Sequence, residues 1–279
     1  MAETTGEKPI IEVRGLSMGY GFEPPIMHDL NFSILPKEIF IIMGGSGCGK
    51  SSLLRHLIGL QNPRAGEIFL FGKNLNRLSE EERSHLRQRI GVMYQGGALW
   101  SSMTILENVM LPLEEFSTLS LRERREVAQY KLALVGLENA GDKYPSEISG
   151  GMAKRASIAR ALALDPEILF FDEPGAGLDP IASKELDDLI LNLRTALGTT
   201  IVIVTHELDS IFAVGDRAIF LDAATKTAGA IGNPRKLRET APANIRYFLS
   251  RAGTIPCEKL QTTNIYPHAE SFGPATQNP

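Results

Sequence analysis

The stretch IFIIMGGSGCGKSSLLRHLIGL, residues 39–60, decides the reading of the fold. It opens on an apolar run of strand length and closes on leucines at helical spacing, with GGSGCGKS between them. Residues 44–51 match G-x-x-x-x-G-K-[ST] in full, and the match has the strand before it and the helix after it that a phosphate loop needs. Glycines at such a turn let successive backbone N–H groups converge on phosphate oxygens, and the dipole of the following helix adds to the field. Lys50 is then expected to reach the β- and γ-phosphates of a bound nucleotide, and Ser51 to ligate Mg²⁺. Gly44, Gly45, Ser46, Gly47, Cys48, Gly49 and Ser52 complete the expected cradle. Cys48 stands at a variable position and reads as a small residue that fits.

Working outward, further short apolar runs alternate with helical patterns: IIEV, LNFSIL, ILFFDE, TIVIVTHE and RAIFLDA. Continuous apolar strands of this kind are the buried parallel strands of an α/β sheet. The segments up to GEIFLFGKNL, the central strand aside, read as antiparallel strands joined by turns. Between residues 99 and 165 strand signals stop, and a helical subdomain set into the sheet core is expected there. Ser79, Thr104 and Ser120 are each followed three residues on by Glu, the spacing of a capping box. The expected domain therefore covers residues 1–240, and residues 241–279, rich in proline and polar residues, read as a linker or a dimer- or partner-binding arm.

ILFFDE ends an apolar strand on two adjacent acids, Asp172 and Glu173. In a phosphate-loop enzyme the first acid holds Mg²⁺, usually through water, and the second polarises the attacking water. Gln95 ends the strand pattern IGVMY, and His206 ends TIVIVT; either alone is more often a satisfied structural residue than a catalytic one. ISGGMAKR, residues 148–155, is a second helix start of the anion-binding type. The order along the chain is phosphate loop, glutamine, Ser-Gly-Gly helix, Asp-Glu strand, histidine. In that order, from about Ile10 to Asp222, the sequence resembles the ATP-binding-cassette (ABC) ATPases.

The resemblance implies a phosphate-loop NTPase of ABC type: an α/β fold with an antiparallel β subdomain and an inserted helical subdomain. Tyr20 matches the aromatic residue that stacks on adenine, and Gln95 the glutamine that senses Mg²⁺ and the attacking water. Ser149, Gly150 and Gly151 match the signature, Asp179 the aspartate of the inter-subunit loop, and His206 the switch histidine at the γ-phosphate. Asp179 and Pro180 also read locally as the cap and first residue of a helix. In the family the signature faces the phosphate loop of a second subunit, so a homodimer holding ATP at its interface is implied. Met152 departs from the glutamine that most members carry, which implies altered coupling at the signature. SGGMAKRASIARALALDP, YQGGALW and RYFLSR resemble the ATPase of MCE-type phospholipid transporters such as the Mla system, although GAGLDP differs from the loop usual there. That likeness implies an integral membrane permease dimer, contacted through residues 96–115. It also implies periplasmic lipid-binding MCE subunits and a small cytosolic regulatory subunit.

Bulk properties set the outer limits. A chain of 279 residues that is 43% hydrophobic can bury one substantial core, and a formal charge of −4 offers no general attraction to nucleic acid. Cys48 and Cys257 form no disulfide framework or zinc spacing, which fits a reducing cytosol. MAETTGEKPI lacks the pattern of a signal peptide, and no apolar run approaches the roughly 20 residues of a membrane span. The expected place is the cytoplasmic face of the inner membrane. No residue singled out here touches cargo, so importers of amino acids, metals or peptides stay open. ABC ATPases of ribosome or DNA are disfavoured by the lack of tandem cassettes and long insertions.

Overall fold

The computed structural model describes residues 8–19, 21 and 23–250. In chain order the elements are β1 (Ile11–Met18), β2 (Met27–Ile34), β3 (Ile39–Gly44), α1 (Lys50–Leu57), β4 (Ala65–Leu70), β5 (Lys73–Asn74), α2 (Glu80–Gln88) and β6 (Ile90–Met93). There follow α3 (Ile105–Phe116), α4 (Leu121–Leu134), α5 (Gly150–Ala161), β7 (Ile168–Asp172), α6 (Pro180–Leu197) and β8 (Thr200–Val204). The last are α7 (Leu208–Val214), β9 (Arg217–Asp222), β10 (Thr227–Gly232), α8 (Pro234–Thr240) and α9 (Ala243–Ser250).

Two sheets result. One has the order β2-β1-β4-β5 and is antiparallel. The other runs β10-β9-β3-β8-β7-β6, parallel throughout except for the terminal β10. The apolar runs explain why the second sheet is central. Along β3, Ile39, Ile41 and Met43 enter one core while Phe40 and Ile42 enter the other, and β7, β8 and β9 divide their side chains in the same way. A strand buried on both faces has no room for polar alternation. One of the two cores is closed by the antiparallel sheet and by Leu53, Leu54 and Leu57 of α1. The other is closed by helices, among them α3, α4, α5 and α6.

Residues 99–165 carry α3, α4 and α5, and Ser79, Thr104 and Ser120 each form a complete capping box at the start of α2, α3 and α4. Each such cap is worth about 1 kcal/mol. The capped helices reach the core through Ile105, Val109, Ala128 and Leu132.

The region past residue 240 differs from the linker expected of it. α9 buries Ile245, Phe248 and Leu249, and the Phe248 ring meets Phe220 edge-on with centroids 5.1 Å apart. Apolar residues at i, i+3 and i+4 give this short helix a core-facing stripe. Burying each is worth about 1.5–3 kcal/mol, which outweighs the local proline signal. The rest of the expected arm, from residue 251, lies outside the described residues.

Candidate functional site

At the carboxyl end of β3 the chain turns into the phosphate loop. Gly44 has φ 152°, and a Cβ there would lie 2.6 Å from the Leu221 carbonyl oxygen and 2.7 Å from Cys48 Sγ, so no other residue fits. Gly49 caps α1 at φ 100°, where a Cβ would press on Ile26. Lys50 is buried, and its Nζ donates to the carbonyls of Gly44 and Gly45 at 3.1 Å each, which folds the ammonium over the loop. The Cys48 side chain turns into the core, and burial pushes its thiol pKa up. It therefore brings only its backbone to the loop.

Parallel pairing sets the opposite wall. β8 lies between β3 and β7, with Asp172 in register with Val204, so the carboxyl ends of all three strands open at one edge. Clefts at this edge are where ligands of open α/β sheets bind. Ser51 Oγ donates to Asp172 Oδ1 at 3.1 Å. Burial raises the Asp172 pKa, the Ser51 hydrogen bond lowers it, adjacent Glu173 raises it, and Arg55 and Lys50 lower it. A hydroxyl and one carboxylate suit Mg²⁺, which keeps several waters and takes phosphate oxygens for its remaining ligands. Among the described residues no cluster of three or more His, Cys, Asp or Glu offers an all-protein metal cage.

Glu173 sits just past the strand with φ 50°, a conformation that costs a non-glycine residue on the order of 1 kcal/mol. Its N–H donates to Val204 O at 2.8 Å, which holds the turn. Oε1 lies 2.9 Å from His206 Nδ1. Oε2 is buried with no hydrogen-bond partner in the structure, a state costing about 1–3 kcal/mol. A carboxylate oxygen left so is a ready acceptor for a ligand proton. Gly44, Gly45, Ser46, Gly47, Gly49, Lys50, Ser51 and Ser52 line one cleft of about 520 Å³ together with Gln95, Glu173, His206 and Phe248.

The other expected residues go elsewhere. Ser149 caps α5, its Oγ accepting from Met152 N at 3.3 Å, and it faces solvent beside an open Gly150. Ser149, Gly151 and Met152 line a recess of about 290 Å³ that shares no residue with the cleft. Met152 packs partly against the helical-side core, so a position expected to matter for the signature also serves the core. Asp179 caps α6, accepting from the N–H groups of Ile181 and Ala182 at 3.0 Å each, and is exposed. Within one chain, then, Ser149, Gly150, Gly151 and Asp179 do not join the phosphate loop. Tyr20 lies outside the described residues.

Four residues at or near these sites escaped the sequence reading. Phe248 closes the cleft from α9, the helix hidden in a proline-rich stretch. Lys154 of α5 is buried and reaches Gln95 O and Glu173 O. Glu207, half-buried beside Glu173, has its pKa raised chiefly by burial and next by the Glu173 charge. Asn108, fully buried in α3, pins the loop before it: Oδ1 accepts from Trp100 N at 2.7 Å, while Nδ2 donates to the carbonyls of Trp100, Met103 and Thr104. That leaves Trp100 60% exposed while Leu99 packs toward the core. An asparagine inside an apolar helix stripe was the available signal for the last of these; the others needed the fold.

A phosphate loop at the end of a parallel strand, facing a buried glutamate two strands over in the sheet, defines a nucleotide-binding phosphate-loop protein. Residues 27–176 match the ABC transporter family. The chain is 42% identical over 206 residues to the "Probable ribonucleotide transport ATP-binding protein mkl" of Mycobacterium tuberculosis, covering 74% of this chain and 57% of that protein's length. It is 37% identical over 240 residues to the "Intermembrane phospholipid transport system ATP-binding protein MlaF" of Haemophilus influenzae, covering 86% of this chain and 90% of that one. Among solved structures, the dimeric post-hydrolysis state of the ATP-binding cassette MJ0796 bound to ADP and Pi superposes with a TM-score of 0.72 at 31% identity. That match covers 80% of this chain and 98% of the other. The chain belongs to the ABC transporter family.

Proposed function

We propose that this chain is the ATP-hydrolysing subunit of a membrane ABC transporter that moves phospholipid. The observation that carries the enzymatic half is Glu173, which lines the same cleft as the phosphate loop and carries a buried carboxylate oxygen, Oε2, without a hydrogen-bond partner. Loop N–H groups and Lys50 bind the phosphates, and Ser51 and Asp172 hold Mg²⁺, which when bound neutralises charge on the β- and γ-phosphates. Glu173 Oε2 orients the attacking water and accepts its proton, while His206, held 2.9 Å from Oε1, presents its other ring nitrogen to the γ-phosphate. Gln95, whose carbonyl is held by Lys154, lines the same cleft and would sense the metal and the attacking water there. Tyr20 stacks on the adenine.

Ser149, Gly150, Gly151 and Asp179 act in trans on the nucleotide of a second copy. Their exposure, and their separation from the cleft within one chain, support this reading, as does the dimeric state of the MJ0796 cassette. No helix among the described residues is long and apolar enough to cross a membrane, and a permease dimer supplies the path in this reading. Residues 96–115, held by Asn108 with Trp100 outward, are the surface it meets. The working place is the cytoplasmic face of the inner membrane, with MCE-type lipid-binding subunits beyond it and a small regulator on the helical side. Residues 1–240 act as the ATPase domain, with 99–165 as its helical part; α9 joins that domain through its buried face, which leaves the residues from 251 to 279 as the arm.

The phospholipid cargo is favoured over ribonucleotide because the MlaF match spans nearly all of both chains, whereas the mkl match spans little more than half of its protein. One experiment tests both halves: purify the full chain with the membrane proteins that co-purify, assay Mg-ATP hydrolysis, and identify bound lipid by mass spectrometry. Wild-type protein should hydrolyse ATP and carry phospholipid, while Glu173→Gln should bind ATP and lose at least about 100-fold in turnover. Undiminished turnover in Glu173→Gln would remove its role as base; a bound solute other than lipid would overturn the cargo.

A further inference from the structure

The signature helix and the cleft share no lining residue, yet a buried cation joins them. Lys154 stands five residues beyond Ser149 on α5, and its Nζ donates to Gln95 O at 2.6 Å and to Glu173 O at 3.4 Å. Both acceptors are main-chain carbonyls of residues that line the cleft. Lys154 is 9% exposed, and the carboxylates of Glu207, Glu173 and Asp172 offset part of the cost of burying its charge. Room for the Glu207 carboxylate comes from Gly175, where a Cβ would collide with it. An apolar helix face would have packed this position at no desolvation cost.

From this geometry we infer that Lys154 is a positioning residue that transmits contacts at the exposed start of α5 to the catalytic backbone of the same chain. The inference rests on the ATPase reading above and adds a route between its two half-sites. α5 has 12 residues, so it is a rod about 18 Å long that moves as a unit. When a nucleotide bound to a second copy engages Ser149, the helix start is fixed, and with it the Nζ that holds the carbonyls of Gln95 and Glu173. Glu173 is sensitive to such a hold because its φ of 50° is maintained by its surroundings rather than by its own preference. Its N–H is tied to Val204 O on β8, and its carbonyl is tied to α5 through Lys154. Each site thereby senses occupation of the other without a contact between the two nucleotides.

The test is steady-state ATP hydrolysis by the full chain as wild type, Lys154→Met, Lys154→Arg, Ser149→Ala and the double variant Lys154→Met/Ser149→Ala. Lys154→Met keeps the apolar stem and loses the donor and charge. It is expected to lower kcat about 10-fold with KM for ATP within about twofold, and Lys154→Arg to restore most of the rate. Ser149→Ala should also lower kcat about 10-fold, and the double variant should fall no further than the worse single, because both changes cut one route. Losses that multiply to about 100-fold in the double variant overturn the inference. So does a wild-type rate in Lys154→Met, or a loss of folded protein in Lys154→Met that Lys154→Arg does not reverse. Absence of hydrolysis in the wild type instead strikes the underlying ATPase reading, so the two failures are told apart.

Discussion

The starts of α1 and α5 are two versions of one local design with opposite fates. Both helices start next to small residues, Gly49 and Ser149 standing at their caps, and the sequence marks both as anion sites. The start of α1 is enclosed: Gly49 caps it in a left-handed conformation, Lys50 is buried, and Asp172, Glu173 and His206 face it from neighbouring strand ends. The start of α5 is open, capped by Ser149 and bordered by Gly150 with nothing within 4 Å of where its Cβ would be. A helix N-terminus becomes a complete nucleotide site only where other elements bring a cation, metal ligands and a base. At α5 none of Lys50, Asp172, Glu173 and His206 lines the recess beside Ser149, which accords with the proposal that a second copy brings them.

The strongest attack on that contrast is Lys50→Ala. Removing the ammonium folded over the loop should weaken ATP binding by at least about 100-fold, read by fluorescent-nucleotide titration. Retained affinity would mean that the enclosed start works by its N–H groups alone, like the open one. Next in size is Ser149→Arg, whose bulk lies on the exposed face. It should leave nucleotide affinity of the dilute chain within about twofold while cutting hydrolysis at least about 30-fold. If affinity falls with the rate, the two starts belong to one site and the comparison fails.

The smallest effect concerns the scaffold between them. Asp187 of α6 is buried with Ser210 Oγ donating to Oδ2 at 3.0 Å, and its pKa is raised to about 6 by burial first, then by Glu207, Asp188 and Asp209. An acid whose folded pKa lies above the unfolded value of about 3.9 binds its proton more tightly in the folded state. Its contribution is therefore most favourable below about pH 4 and is lost as pH rises through 6. Asp187→Asn, which can still accept from Ser210, should raise stability by about 1 kcal/mol at pH 8. That is about 2–4 °C in Tm, with the gain vanishing toward pH 4. Nucleotide affinity should stay unchanged; a parallel rise would show that α6 couples stability to the site.

Much of this was legible before any coordinates. Residues 44–51 announced their turn because strand, glycines, lysine and helix form one uninterrupted local pattern, and the capping boxes at Ser79, Thr104 and Ser120 are equally local. α9 was misread because Pro242 marks a break in composition, while burial of Phe248 depends on Phe220, 28 residues earlier in the chain. Lys154 was missed because a lysine on a helix ordinarily faces water. Its burial is decided by two carbonyls 59 and 19 residues away.

By itself, then, the sequence determined the periodicities, the phosphate-binding turn, the caps and the order of the reactive residues, all of which depend on neighbours within a few positions. Only the tertiary structure decided which of the two helix starts is enclosed, that Cys48 and Met152 turn toward the core, and that Lys154 bridges Gln95 and Glu173. Parallel strands bring residues from distant parts of the chain to one edge, and which side chains meet there follows from sheet order and register, quantities that no short window of sequence contains.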